Sequence, residues 1–540
     1  MEQRNMIIAF VLSMLILLGW GMLFPQQETD QGTAVKQSID QPPAEVAKSV
    51  AKAAAKPQQA ASSDTTPPAA VAAADVPATD GAKTDGAKQP EQRPTFSIHN
   101  DKMRLTVNDK GWLVGALLND YRVSIDPDAK HVEALHLGEG RSVYVTAGVM
   151  QATLKEPFHV VQRSANAITM QATLSNGRVW QRTLRLRDGS YQVAIDDRII
   201  GGAGLKFYQQ VVERNPDKKK NTFYEHMGPT GLVNGKLVEP DYDDLDEGAQ
   251  TMASVGGWTA VMNRYFIAAM IPDPKQSHTF YYKGNGSAYQ AGLIDTGEQA
   301  GADAHFHINL YVGPKSIPIL KQAGAGLERA VDFGFVTIIA KPMHQFLGWL
   351  YQYVGNYGWC IIILVITIKI IFFYPTQKSY TSMAAMRKLQ PELTLLKERY
   401  GDDRQQMGQE VMKLYKKHKV NPMGGCLPIL IQMPVFFALY RVLLVSIEMR
   451  QAPFIGWIQD MSVQDPYFVL PVIMGASMFI QQRLNPAPPD PMQAKVMQFL
   501  PIIFTVMFLF FPAGLVLYWV VNNVLSILQQ WMILKRMNVQ

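Results

Sequence analysis

Cysteine is nearly absent: two in 540 residues, Cys360 and Cys426. That excludes a disulfide scaffold and any cysteine-rich zinc or iron–sulfur site. Also missing are a G-x-S-x-G elbow, a Walker phosphate loop and an H-E-x-x-H helix. Each of these would mark a reaction type by its geometry. Any work the chain does is therefore not driven by its own nucleotide hydrolysis. Charge is thin, at 18% of residues, and the net of +6 is too small to imply nucleic acid. The histidines are scattered. His305-x-His307 turns two imidazoles to one face of a strand, but no carboxylate or third histidine follows at a useful sequence spacing, so both read as ordinary strand residues.

What is present is unevenly distributed. A mean hydropathy of −0.03 alongside 48% hydrophobic residues implies greasy segments diluted by a polar one. Met6–Phe24 is 19 residues without a charge, long enough to cross a bilayer, and has no small-residue cleavage site after it. We read residues 1–25 as an uncleaved anchor. Residues 26–93, rich in Ala, Gln, Pro, Thr and Asp, cannot bury enough surface to offset ordering entropy and read as a disordered tether.

Residues 94–325 read as one large all-β sandwich. Ala167–Leu174, Arg178–Leu186 and Tyr191–Ile199 are separated by Asn176-Gly177 and Asp188-Gly189, the signature of tight antiparallel hairpins. Phe207–Val212, His278–Lys283 and His305–Val312 add strands. Residues 326–354 carry Phe346, Leu347, Leu350 and Val354, with Trp349 and Tyr353, at helical spacing, and Pro342 suits a helix start. Such a helix either lies in the membrane interface or forms a packed lead-in to the next span.

Residues 355–540 are membrane-like. Tyr357–Tyr374, Cys426–Ile447 and Tyr467–Gln482 read as spans. Gln498–Leu534 is apolar over a length of about 55 Å as one helix, nearly twice the bilayer core. Phe511-Pro512-Ala513-Gly514 breaks it into two rather short spans, giving six in all. The loop 376–424 holds ten Lys/Arg against five Asp/Glu, whereas Glu448–Asp465 holds one Arg against three acids. Basic short loops stay in the cytoplasm, so both termini are expected inside and the β domain in the periplasm.

Lys369 sits in IIILVITIKIIFFYP, about 9 Å from the cytoplasmic end at Pro375. It either snorkels to the inner headgroups or faces a watery cavity within the bundle. Gln432, Thr505, Tyr518, Asn522, Asn523, Gln529 and Gln530 also lie at membrane depth and suit interhelical hydrogen bonds. Arg441 suits a snorkeller or a pair on the periplasmic side. Within 376–424, Thr381–Tyr400 and Asp402–Lys419 read as an antiparallel helical hairpin split at Gly401-Asp402-Asp403. Its methionines, Met383, Met386, Met407 and Met412, offer an adaptable apolar surface. Lys413, Lys416, Lys417 and Lys419 suit either anionic lipid or ribosomal RNA.

The runs QKSYTSMAAMRKLQPEL, ERYGDDRQQMGQEVMKLYKKHKVNPMGGCLPILIQMPVFFALYRVL, MRQAPFIGWIQDMSVQDPYFVLPVIMGASMF and FPAGLVLYWVVNN resemble the YidC family of membrane protein insertases, over roughly residues 325–535. The resemblance implies six transmembrane helices, five of them forming a core with a hydrophilic groove open to the cytoplasm and to lipid. It implies an insertase and chaperone rather than an enzyme, with no cofactor and no metal. Its partners would be nascent membrane proteins, the Sec translocon, ribosome or signal-recognition components at the hairpin, and the phospholipid membrane. Lys369 stands where the family has a groove arginine, so the charge survives without the guanidinium fork. Gln432 and Trp519 match other groove positions. Met433, Phe436 and Tyr518 match client-contacting ones. Gly401, Asp402 and Asp403 match the hairpin region needed for activity. The family's β domain is a sugar-epimerase-like sandwich. The alternative is a small-solute transporter or channel with a polar bundle interior; no internal symmetry between halves supports it.

Overall fold

Gly177 and Gly189 adopt the left-handed backbone, φ 79° and 68°, that their hairpin turns demand. The three strands they join, Ala167–Thr173, Val179–Leu186 and Gln192–Ile200, pair antiparallel in sequence order. The computed structural model describes residues 93–538 apart from 219–225, 297, 301, 401–402, 422–426 and 486–490. The expected anchor Met6–Phe24, nearly all of the tether, Gly401, Asp402 and Cys426 lie outside the described residues.

Two antiparallel sheets form the β-sandwich. In the first, five consecutive strands between Thr95 and Val149 lie side by side, followed by Phe207–Arg214, Ala288–Asp295, Ser277–Gly284 and Gln250–Val255. The second runs from Lys236–Val238 through Gly228–Val233, Trp258–Met262, Phe266–Pro272, Asp303–Pro314 and Gln192–Ile200 to the 179, 167 and 159 strands. Inward positions alternate along Val179–Leu186: Trp180, Arg182, Leu184 and Leu186 are buried and the residues between them are not. That period of two places a charge in the core. Arg182 Nε lies 3.5 Å from Asp197 Oδ1, and Asp197 also accepts from Trp180 Nε1 at 2.7 Å and Gln209 Nε2 at 2.9 Å.

His307 has a partner that the sequence does not reveal. Its Nδ1 lies 2.6 Å from Asp196 Oδ1, a carboxylate supplied across the sheet by a strand 111 residues away, which no local spacing reveals. That hydrogen bond holds the Asp196 carboxyl below its ordinary range. Among the described residues no cluster suited to a metal forms there or elsewhere.

The helices follow: α1 (Tyr242–Glu247) and α2 (Ile317–Ala323) within or just after the sandwich, then α3 (Thr337–Val354), α4 (Tyr357–Ile371), α5 (Phe373–Lys388), α6 (Gln390–Tyr400), α7 (Arg404–Lys417), α8 (Leu427–Val445), α9 (Val469–Leu484), α10 (Pro491–Phe508) and α11 (Ala513–Arg536). Pro342 does not start α3; the helix begins at Thr337, and the proline sits on an exposed side one turn in, where its missing N–H leaves only the Ile338 carbonyl free. Nor is α3 one-faced. Ala340, Met343, Leu347 and Leu350 are buried, while Ile338, Trp349 and Tyr353 are exposed.

The segment expected to form the first core span is bent. α4 and α5 meet at 70° across Phe372, because Pro375 cannot donate to the Ile371 carbonyl and its ring crowds that turn. The hairpin's first arm is split, α5 running on to Lys388 and α6 taking over after Leu389, where Pro391 has no N–H to give the Arg387 carbonyl. The break after α10 falls at Leu509–Pro512, but α11 is not short: at 24 residues it is the longest described helix. Among the described residues no single helix is long and apolar enough to cross a membrane; α4 with α5 passes as a bent pair, and Leu430–Val445 and Lys495–Phe508 are shorter apolar helices.

Candidate functional site

α11 carries a polar stripe through an apolar bundle. Asn522, Asn523, Ser526, Gln529 and Gln530 recur at helical spacing and are all buried. Lys369, on α4, donates to Ser526 Oγ at 2.7 Å, and the Ser526 hydroxyl donates in turn to the Asn522 carbonyl at 2.7 Å. Asn523 Nδ2 reaches Ser477 Oγ on α9 at 3.0 Å. Gln530 Nε2 donates to the Leu484 carbonyl and to Asn485 Oδ1, both at 3.0 Å, where α9 ends.

The stripe is incompletely satisfied by the protein. Asn522 Oδ1, Gln529 Nε2, Gln530 Oε1 and Trp519 Nε1 are buried without a hydrogen-bond partner among the described residues. Each such atom in a dry interior costs about 1–3 kcal/mol. Lys369 adds an ammonium whose partner among the described residues is a hydroxyl.

The stripe is confined to one end. Ser526 lies about 20 Å along α11 from Ala513, and Gln530 about 26 Å. The opposite end is aromatic. Phe436 packs on Trp519 with centroids 5.4 Å apart, Trp519 on Phe508 at 5.7 Å, Phe508 on Phe511 at 5.1 Å and Phe511 on Tyr440 at 5.9 Å. Above these rings the loop after α8 crosses the α10–α11 break: Ala513 N donates to Val463 O at 2.7 Å and Gly514 N to Met461 O at 3.0 Å. Asp465, wholly buried, fixes that loop by accepting from Trp457 Nε1 and from the Tyr467 and Leu470 amides. The aromatic end faces the β domain, and the polar end faces the hairpin, whose core takes in Ile533 and Leu534 of α11.

Gln432 on α8 donates through Nε2 to the Tyr518 hydroxyl. Tyr518 has no exposed surface, so it stands behind the wall rather than on it. Met433, Phe436 and Trp519 are half-buried. Asp403 caps α7, accepting from the Gln405 and Gln406 amides at 3.0 and 2.9 Å. The expectation of an open methionine surface on the hairpin needs correction: Met383 and Met386 are buried in a core shared with Leu393, Val411, Leu414 and Tyr415, because the two arms pack on each other and on α11. Met412 remains exposed. Arg441 donates to the Asp332 and Phe333 carbonyls beside α3, on the β-domain side. Ser526 and Ser477 escaped the sequence reading; Ser526 was signalled by its spacing of four and three from Asn522 and Asn523.

Family models match almost the whole described chain. The YidC periplasmic domain covers residues 95–346, and the 60Kd inner membrane protein covers residues 349–540. The chain is 39% identical over 506 residues to the membrane protein insertase YidC of Nitrosococcus oceani, spanning 89% of this chain and 92% of that one. It is 54% identical over 296 residues to the protein of that name from Pseudomonas fluorescens, spanning 54% and 53% respectively. A crystal structure of an active YidC insertase with its first transmembrane domain resolved superposes over 82% of this chain and 93% of its own, with a TM-score of 0.38 at 17% identity.

Proposed function

The chain belongs to the YidC family of membrane protein insertases, and on that premise we propose how its residues carry the work. It inserts nascent membrane proteins, is not an enzyme, and sits in the inner membrane with a periplasmic β-sandwich. The arrangement we propose has six spans: the anchor 1–25, then, after the tether 26–93, the β domain 94–325 and the interfacial segment 326–354, five more within 355–540. Both termini and the hairpin 376–424 face the cytoplasm.

In this reading the polar stripe is a half-crossing groove entered from the cytoplasmic side, and the aromatic layer closes it outward. Lys369, Gln432 and Trp519 line it. A client's short hydrophilic segment rests at Lys369 while its apolar helix slides out past Met433 and Phe436, with Tyr518 bracing the wall through Gln432. Wet walls shorten the dry path for polar atoms, each of which would otherwise lack a partner in hydrocarbon. Short apolar helices favour a locally thin bilayer and lower the barrier further. The driving energy is the client's own apolar burial, about 25 cal/mol per Å². The hairpin around Gly401, Asp402 and Asp403 receives ribosome or signal-recognition components, and the β domain meets the Sec translocon.

One observation carries this reading: the Lys369–Ser526 contact at 2.7 Å inside a stripe that ends at an aromatic layer. The test is insertion by the purified protein in liposomes of a two-span client with a short acidic outer loop, read by protease protection of that loop. Protection without ATP or Sec components supports the groove acting alone. Protection that appears only after Sec components are added replaces that with an obligatory complex.

A further inference from the structure

Between α3 and the loop that follows α8 lies a pocket of about 980 Å³. Lys321, Arg329 and Lys341 line it, and so do Glu328, Asp332 and Glu448, so its charges balance. Glu448 is the anchor point. Its Oε1 accepts from Ser316 Oγ at 2.9 Å, but its Oε2 is buried with no hydrogen-bond donor, the nearest imidazole nitrogen, His344 Nε2, being 3.8 Å away. Lys321 and Lys341 have no carboxylate partner among the described residues. The pocket thus offers an unfilled acceptor with free cations around it. Its wall continues into apolar surface: Trp349 lines it, and Trp349, Ile338 and Tyr353 are 51%, 89% and 73% exposed on α3.

We propose that this pocket binds the headgroup of an aminophospholipid of the phosphatidylethanolamine type from the outer leaflet. A primary ammonium brings N–H donors to Glu448 Oε2, and the phosphate, beyond a two-methylene spacer, meets Lys341 and Lys321. An anionic headgroup would leave the three acids uncompensated, and a trimethylated one has no N–H to give. The aromatic and aliphatic flank of α3 then carries the acyl chains, which is why a lipid rather than a free phosphoamine is the occupant. The proposal rests on α3 lying at the outer interface.

Native mass spectrometry of the full chain in detergent reads lipid retention without any insertion step, so its failure leaves the insertase reading untouched. Phosphatidylethanolamine, phosphatidylcholine and phosphatidylglycerol of identical chains are the probes. Tenfold or greater preference for the ethanolamine lipid is expected, falling to less than threefold in Glu448→Gln. Lys341→Gln weakens binding of both zwitterionic lipids and keeps the preference between them. Equal retention of the ethanolamine and choline lipids overturns the proposal, as does an unchanged preference in Glu448→Gln. Soluble phosphoethanolamine competing as well as the lipid overturns the lipid as the source, and a co-purified peptide in place of lipid reassigns the pocket to protein docking.

Discussion

Lys369 is a point charge where a guanidinium fork would give two directed bonds, and its partner among the described residues is a hydroxyl. A cation held this way acts through charge rather than shape. We therefore expect Lys369→Arg to insert a client with an acidic exported segment at close to the parental rate. Lys369→Glu turns attraction into repulsion and should lower that rate tenfold or more, measured as initial protease protection in liposomes; equal insertion by the glutamate variant would remove Lys369 from the mechanism. Arg182 and Asp197 present the opposite case, a charge pair sealed inside the β domain. Burial pushes the Arg182 guanidinium down and the Asp197 carboxyl up, with each partner's charge opposing the shift. Removing one partner of such a pair costs about 3–5 kcal/mol, whereas replacing both with apolar groups is close to neutral. Asp197→Ala should accelerate amide exchange across Val179–Leu186 more than a hundredfold, and Arg182→Met with Asp197→Leu should restore most of the protection. A single variant as well protected as the double would show that the pair carries no such penalty.

At the scale of elements, α9 and α10 cross closely at Gly475. A Cβ on Gly475 would collide with Thr505 Oγ1, and Gly475 has ordinary helical backbone, so the space rather than the conformation demands glycine. Gly475→Val should cost about 1–3 kcal/mol through overpacking, seen as a lower detergent melting temperature, with Thr505→Ala as a partial suppressor. Such crossings are invisible to a sequence read without its partner helix. What was legible is local: the hairpin turns at Gly177 and Gly189, the alternation in the strands around them, and the break near Pro512 all follow from chemistry within a few residues. What was not legible is relational. The carboxylate facing His307, the burial of Met383 and Met386, and the serine that receives Lys369 are each decided by a segment far off in the chain. The bend at Phe372 lies between: Pro375 was in view as the end of a span, yet a helix resuming at once in a new direction depends on packing against α11.

The whole molecule turns on how the β domain seats on the helices. The loop after α8 reaches up to it: Arg450 and Gln451 donate to the Arg122 and Val123 backbone carbonyls, Arg450 also lies over the Tyr265 ring, and Glu448 takes Ser316. The same loop continues down to cover the aromatic layer, so the seat of the β domain and the cover of that layer are parts of one segment. That makes the junction titratable. Burial raises the Glu448 carboxyl, but His344 and the Ser316 hydroxyl outweigh it and hold the group below its ordinary 4.5. A carboxyl depressed on folding adds stability that is fully present above about pH 4.5 and is lost as the pH falls through the lower folded-state value. Tyr121, on the β-domain side, is pushed up to about 12 by burial and by the Glu448 charge, so it stays neutral throughout and adds no second step. We expect protection factors of the Glu448–Gln451 amides to drop as the pH falls below 4.5, while those of the buried strand Phe266–Pro272 hold. Glu448→Gln should abolish the drop by removing the titrating group. A drop that survives in that variant would place the acid sensitivity elsewhere and leave the junction held by the Arg450 and Gln451 contacts, which do not titrate in this range.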